Sequence, residues 1–232
     1  MTGERAASRP EVLAIIPARG GSKGLPRKNA LMLGDRPLVA WSVSVARAAR
    51  NITRVVVSTD DPEIADIARE YGAEVPFLRP AHLSGDRADV GLALQHIRNG
   101  LFERERYRPL GQVVLYPTHP FRRRSTIEHL VDTLLAGYET VSTVRRIDTP
   151  QERFFCEEGG LLHPYGEAEV AMALAPHVRT YGYCYGRYLD FSAAGHYQHV
   201  LTDPVELIDI DAEEDLELAR KVLEHNLFDF EL

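Results

Sequence analysis

Four cations and three glycines share one short stretch, Pro17-Ala18-Arg19-Gly20-Gly21-Ser22-Lys23-Gly24-Leu25-Pro26-Arg27-Lys28-Asn29, directly after the apolar run Val12-Leu13-Ala14-Ile15-Ile16. Glycine lets backbone N–H groups turn toward an anion, and Arg19, Lys23, Arg27 and Lys28 bring countercharge, so this stretch predicts polyphosphate binding. Its spacing matches neither Gly-x-x-x-x-Gly-Lys-Ser/Thr nor Gly-x-Gly-x-x-Gly, which sets aside the common ATPase and dinucleotide loops. A basic, solvated surface turn has the same composition; the place after a buried strand favours a site.

Three other stretches carry donor or ligand chemistry. Leu207-Ile208-Asp209-Ile210-Asp211 sets two carboxylates two residues apart, and on an extended chain both project from one face. Mg²⁺ takes one or two carboxylates plus water and phosphate oxygens, so Asp209 and Asp211 are its candidate ligands. The alternative is a cap for the acidic helix that follows at Ala212-Glu213-Glu214-Asp215. In Leu78-Arg79-Pro80-Ala81-His82-Leu83-Ser84-Gly85-Asp86, Arg79 offers donors to a base carbonyl and the backbone of Leu83, Ser84 and Gly85 offers the remaining edge. A Pro-containing turn with Arg79 in solvent is the competing reading. Asp60, in Ser58-Thr59-Asp60-Asp61, reads as a helix N-cap, and the loop residue His119 as structural.

The elements that position these residues alternate. Val12–Ile16 and 54–59 read as buried strands, 37–47 as a helix, and Asp60-Asp61-Pro62 as the start of a helix through Ile64, Ile67 and Tyr71. Further strands are expected at 113–115 and 207–210, with helices at 90–102, 125–135 and 213–225. Alternation of this kind predicts an α/β fold with a mostly parallel sheet covered on both faces, a three-layer α/β/α sandwich. Residues 141–188 are richer in aromatics and turns and read as a short antiparallel insertion within one domain spanning 1–232.

Composition narrows the partners. The 232 residues carry Lys+Arg 27 against Asp+Glu 34, a net charge of −7, which argues against general nucleic-acid binding and leaves the loop's positive charge local. Cys156 and Cys184 stand far apart without ligand spacing, so neither a disulfide framework nor zinc is indicated and a reducing cytoplasm is expected. No apolar run approaches the roughly 18 residues of a membrane span, and no signal-peptide core precedes Pro10.

The 15–29 loop resembles the first motif of the acylneuraminate cytidylyltransferases (CMP-sialic acid synthetases) almost residue for residue. Leu78–Asp86 looks like that family's pyrimidine-reading loop, Val113-Val114-Leu115-Tyr116-Pro117-Thr118-His119-Pro120-Phe121-Arg122 like its leucine-leucine-glutamine-proline-threonine-serine-proline-leucine-arginine motif, and Asp209–Asp211 like its terminal motif. The resemblance runs from about Leu13 to about Leu223. It implies a nucleotide-diphospho-sugar transferase type of fold, and Mg²⁺-dependent transfer of CMP from CTP to a small acidic acceptor. It implies that Arg19 and Lys28 contact the triphosphate and transition state, with Asp211 completing the catalytic set. Ala18, Gly20, Ser22 and Lys23 would line the nucleotide loop, Asn29 would hold the nucleoside, and Arg79, Leu83 and Ser84 the base. It also implies a homodimer in which the insertion closes the partner's site.

The acceptor half departs from the family pattern. Tyr116 stands where the family places Gln near the sugar, and His119 replaces Ser. Ala171-Met172-Ala173 stands where an arginine-glutamine-glutamine cluster is usual, and Asp148-Thr149-Pro150-Gln151-Glu152-Arg153 replaces a histidine-proline-lysine element. A carboxylate stripped of its bidentate donors is costly to bury. A different acceptor is therefore expected: another nonulosonic or 3-deoxy sugar acid, or a smaller acid such as a phosphonate. Arg122, Arg123, Arg124, Arg145, Arg146 and Arg179 are its candidate anion receptors. The alternatives are GTP as donor, or a nucleotide sensor without turnover. The stretch from Glu224 to Leu232 reads only as a helix end and tail.

Overall fold

The first apolar run becomes β1, Val12–Pro17, in which every residue from Val12 to Ile16 is fully buried. The computed structural model describes residues 9–22, 24–85, 88–147, 155–158, 161–164, 177–189 and 193–232. The expectations for Lys23, Asp86, 148–153 and 171–173 lie outside these.

Strands β2 (Met32–Leu33) and β3 (Arg36–Pro37) form a small hairpin after the glycine-rich loop. β4 (Arg54–Ser58) and β5 (Gly111–Val114) flank β1 in parallel, setting Ala14 between Val55 and Val113 and Ile15 between Val56 and Val114. Beyond β5 come β9 (His177–Tyr188), antiparallel to its neighbours, then β6 (Thr140–Ile147), and β10 (His196–Leu201) parallel to β6. The sheet order is thus β10-β6-β9-β5-β1-β4.

Burial on both faces explains why β1 and β4 carry continuous apolar runs instead of alternating ones. Val12, Ala14 and Ile16 of β1 pack with Val39 and Val43 of α1 (Leu38–Ala48), Ile64 and Ala68 of α2 (Pro62–Glu70), and Ile127 and Val131 of α4 (Arg124–Leu135). Leu13 and Ile15 turn to the other layer and meet Leu94, Ile97 and Leu101 of α3 (Val90–Glu105). The three-layer α/β/α expectation is met.

Two expectations change. Leu207–Ile210 is not a strand: Leu207 and Ile208 donate to Pro204 and Val205 in a local turn, and Ile210 N–H reaches Thr118 O at 2.8 Å. Its alternation survives, because Ile208 and Ile210 enter an apolar cluster with Trp41 and Phe121, and that cluster supplies the burial a sheet would have given. The 141–188 segment is also not a separate excursion throughout. β6 and β9 belong to the central sheet, and among its described residues only β7 (Phe155–Glu158) and β8 (Leu161–Pro164) form a sheet of their own.

The unexplained tail has a place. After α5 (Glu213–Glu224), Phe230 stacks on Trp41 with ring centroids 4.4 Å apart, and Phe228 meets Phe121 edge-on at 5.5 Å. Phe230 O accepts Arg124 N–H, and Glu231 Oε2 accepts Ser125 N–H at 2.8 Å, so the tail supplies acceptors to the first turn of α4. Phe230→Ala is expected to cost about 2–3 kcal/mol, at or below the usual range for a core Phe because the ring is only partly buried, as read by urea unfolding.

Candidate active site

The carboxyl ends of β1, β4 and β5 open onto a cleft of about 320 Å³. Its lining draws Arg19, Ser22, Gly24, Lys28 and Asn29 from the loop after β1, Arg79 from beyond β4, and Val90 from the start of α3. Tyr116, Pro117 and Thr118 after β5, together with Asp211, complete the wall. Ligands of open α/β sheets bind in such a crevice.

The glycine-rich loop is tied down at its base. Ala18, fully buried, donates to Ser58 O at 2.9 Å and so continues the β1–β4 pairing; its side chain does not line the cleft. Gly20 N–H donates to Asp60 Oδ1 at 3.0 Å, and the buried Asn29 amide to Arg19 O at 2.8 Å. Asp60 is therefore the loop's anchor, and the N-cap expected of it is Asp61, whose Oδ1 accepts from Glu63 and Ile64. The anchor was hidden in the sequence because its partner lies forty residues away.

Two cations expected to face an anion, Arg27 the phosphates and Arg122 the acceptor, do something else. Arg27, in the left-handed region at φ 54°, turns its guanidinium to Glu63 and Asp61 at the first turn of α2, and it does not line the cleft. Arg122 is fully buried and binds the carbonyls of Tyr116, His119 and Tyr183 and the Ser42 hydroxyl. Burial pushes its pKa down to about 10. It is no receptor for an acceptor anion.

The remaining arginine candidates divide. Arg123 pairs with Asp203 at 2.5 Å and Glu206 at 3.1 Å, while Arg124 lies 4.0 Å from Glu128. Arg145 sits over the Tyr181 ring, and Arg179 is its cross-strand neighbour in β9. Arg146 and Arg179 are exposed; none of these five lines the cleft.

Arg79 does line it, but with its guanidinium braced against β4. Nε donates to Ser58 Oγ at 3.0 Å and Nη2 to Ser58 O, while its own N–H holds Thr59 O at 2.7 Å. Burial lowers its pKa, offset in part by the Asp60 charge. A braced, desolvated guanidinium keeps one orientation, as reading a base edge requires. The backbone N–H groups of Leu83 and Ser84 are spent inside their own turn, on Pro80 O and Ala81 O, and neither residue lines the cleft. Base reading from those donors is thus not the arrangement found.

At the opposite wall Lys28 Nζ donates to Asp211 Oδ1 at 2.6 Å and to Ile210 O at 2.8 Å. Asp209 lies behind, 3.6 Å from the Nδ1 of a buried His119. Burial first, then the charges of Arg122 and Lys28, drive the imidazole pKa down to about 2, so His119 is neutral, in keeping with the structural role expected of it. Burial, and to a lesser degree the Asp211 charge, raises the Asp209 carboxyl against the hydrogen bond of Thr118 that lowers it.

A family profile described as cytidylyltransferase matches residues 13–229. The chain belongs to the cytidylyltransferase family. It is 36% identical over 157 residues to the CMP-N,N'-diacetyllegionaminic acid synthase of Legionella pneumophila, covering 66% of this chain and 66% of that protein. It is 37% identical over 146 residues to an N-acylneuraminate cytidylyltransferase of Escherichia coli, covering 62% of this chain and 33% of that one. The matched stretches thus span from one third to just under two thirds of these relatives' own length. A solved CMP:2-keto-3-deoxy-manno-octonic acid synthetase complexed with CTP superposes with a TM-score of 0.67 over 93% of this chain and 99% of that one, at 15% identity, and shares the fold.

Close approach explains two of the family loop's glycines. A Cβ on Gly24 would stand 2.2 Å from the Asp211 carbonyl oxygen, and one on Gly20 2.7 Å from Asp61 Oδ2. Gly24→Ala is expected to cost about 1–3 kcal/mol, the usual range for overpacking, and to separate Lys28 from Asp211. Urea unfolding reads the first effect and the ¹⁵N chemical shift of the Lys28 ammonium the second; a variant with unchanged stability and shift would contradict the contact.

Proposed function

We propose that this protein transfers CMP from CTP to the hydroxyl of a nonulosonic or 3-deoxy sugar acid, releasing pyrophosphate. The observation that carries the reading is the cleft itself: Arg19, Lys28 and Arg79 converge with Asp211 at the carboxyl ends of three parallel strands, in a chain of the cytidylyltransferase family. The curated relatives' names supply the acceptor class.

In this reaction the acceptor oxygen forms a bond to the α-phosphorus while the bond from that phosphorus to the β-bridging oxygen breaks, and the hydroxyl proton passes to solvent or base. Arg19 and Lys28 neutralise the triphosphate and the departing pyrophosphate, the glycine-rich loop bringing its backbone alongside. Arg79 holds the pyrimidine edge. The acceptor sits against Tyr116, at the wall where this chain departs from Gln. Orientation and electrostatics supply the rate, without a covalent enzyme intermediate.

The donor set suits Mg²⁺. Asp209 Oδ1 is buried without a hydrogen-bond partner, and Asp211 opens onto the cleft with 73% of its side chain exposed. Mg²⁺ needs only one or two protein carboxylates and completes its shell from water and substrate phosphates. Asp209 and Asp211 would hold it, and when bound it offsets phosphate charge. A homodimer belongs to the same reading, through the β9 face where Val178 and Tyr185 are exposed; light scattering that gives a single 26.0 kDa chain would remove it.

Pyrophosphate release is to be measured with CTP and Mg²⁺ against legionaminic, pseudaminic, N-acetylneuraminic and 3-deoxy-manno-octulosonic acids, with small phosphonates as controls. Release with a sugar acid is expected, abolished by EDTA; no release across the panel while CTP binds would sink the acceptor class. Asp211→Ala is expected to lower turnover by about 10³-fold or more while CTP affinity changes by only about threefold. Arg79→Ala should weaken CTP more than GTP or ATP; equal losses for all three would refute base reading.

A further inference from the structure

Among the described residues the largest fully buried side chain is a cation, Arg122, and one of its partners, Tyr116, belongs to the cleft wall. Nη2 donates to Tyr116 O at 2.7 Å and Nη1 to His119 O, which bracket the segment carrying Pro117 and Thr118. From the other side Nε donates to Tyr183 O at 2.7 Å and Nη1 to Ser42 Oγ at 3.0 Å. Tyr183 is presented there by an irregularity in the β6–β9 ladder: Ser142 faces Tyr185 but Thr143 faces Tyr181, and the slack residues between swing toward the loop. The loop passes the constraint onward, because Thr118 O accepts at 2.8 Å the N–H of Ile210, the residue between Asp209 and Asp211.

We propose that Arg122 is a positioning residue for the transfer reaction, setting both the Tyr116–Thr118 wall and, through Thr118, the Asp209–Asp211 segment, without touching substrate. This rests on the function proposed above only for its kinetic consequence. The chemistry requires arginine. Four acceptors lie around one planar group, and a guanidinium presents five N–H donors in a fixed fork, whereas an ammonium offers three on a point charge. Ser42 on α1, Tyr183 on β9 and the loop after β5 are thereby locked to one another, and withdrawal of the guanidinium would take a buried donor from the His119 and Tyr183 carbonyls.

Arg122→Lys, in the full chain, tests this by hydrogen exchange at the Ile210 amide and by steady-state kinetics. Exchange at Ile210 is expected to accelerate about tenfold while the β1 amides keep their protection, as local opening without global unfolding requires. In parallel kcat is expected to fall about 10²-fold, the scale of an ångström-level misplacement, with KM for CTP changed by only about threefold. A purely structural role would lower the melting temperature and leave Ile210 protection and the kcat of the folded fraction as in the wild type, and that result overturns the proposal. If Arg122→Lys does not accumulate folded, Ser42→Ala removes one acceptor and is expected to raise Ile210 exchange about threefold; unchanged exchange there also overturns it. A wild-type protein inactive on the whole acceptor panel refutes the proposed function alone, and the Ile210 exchange then decides the positioning role by itself.

Discussion

The parallel pairing of β1 with β4 on one side and β5 on the other is the constraint on which the rest of the molecule depends. Parallel neighbours deliver their carboxyl ends to the same edge, so loops distant in sequence leave the sheet side by side. The loop after β1 finds its anchor in Asp60 after β4, and Asp211 reaches Lys28 across nearly the whole length of the chain. Burial on both faces keeps β1 in register, since a one-residue slip would exchange the side chains offered to α3 with those offered to α1 and α4.

Charge in the cleft is distributed by burial as much as by sequence. Arg19, Lys28 and Arg79 face the space against a single carboxylate, Asp211, leaving the described lining net positive. Arg27, immediately before Lys28, is diverted by α2's acidic first turn, where the helix dipole already favours carboxylates. The Lys28–Asp211 pair is lopsided, with 12% of the lysine side chain exposed and 73% of the carboxylate. A pair so open on one side is held by geometry more than by Coulomb energy, and its acid remains available to other cations.

The sequence made the β1, β4 and β5 strands and the five helices of the described residues legible because each is a local pattern of apolar residues or a cap. The glycine-rich loop was legible for the same reason, its residues being consecutive. What escaped was set by distance along the chain. Nothing local in Ser58-Thr59-Asp60-Asp61 tells which of two adjacent aspartates caps a helix and which reaches back to Gly20. Arg122 read as one of six candidate anion receptors; only the folded chain shows that Tyr183, sixty-one residues on, encloses it. Leu207–Ile210 has the alternation of a strand, and burial of Ile208 and Ile210 against Trp41 and Phe121 satisfies that pattern without a sheet. Family resemblance supplied what neither route reaches unaided, the link from an anion-binding loop to a nucleotide.

Trp41 is the only tryptophan in the chain, and it lies face to face with Phe230 while its indole N–H is held by Leu33 O at 3.0 Å. Arg36 covers the same ring at 4.6 Å. Emission excited at the red edge of the indole band, where the ten tyrosines do not absorb, therefore originates at one known place, the seam where the terminal residues meet α1. A change in its wavelength or intensity signals release of that seam, optically and without any introduced label, while the ends of β1, β4 and β5 remain spectroscopically silent.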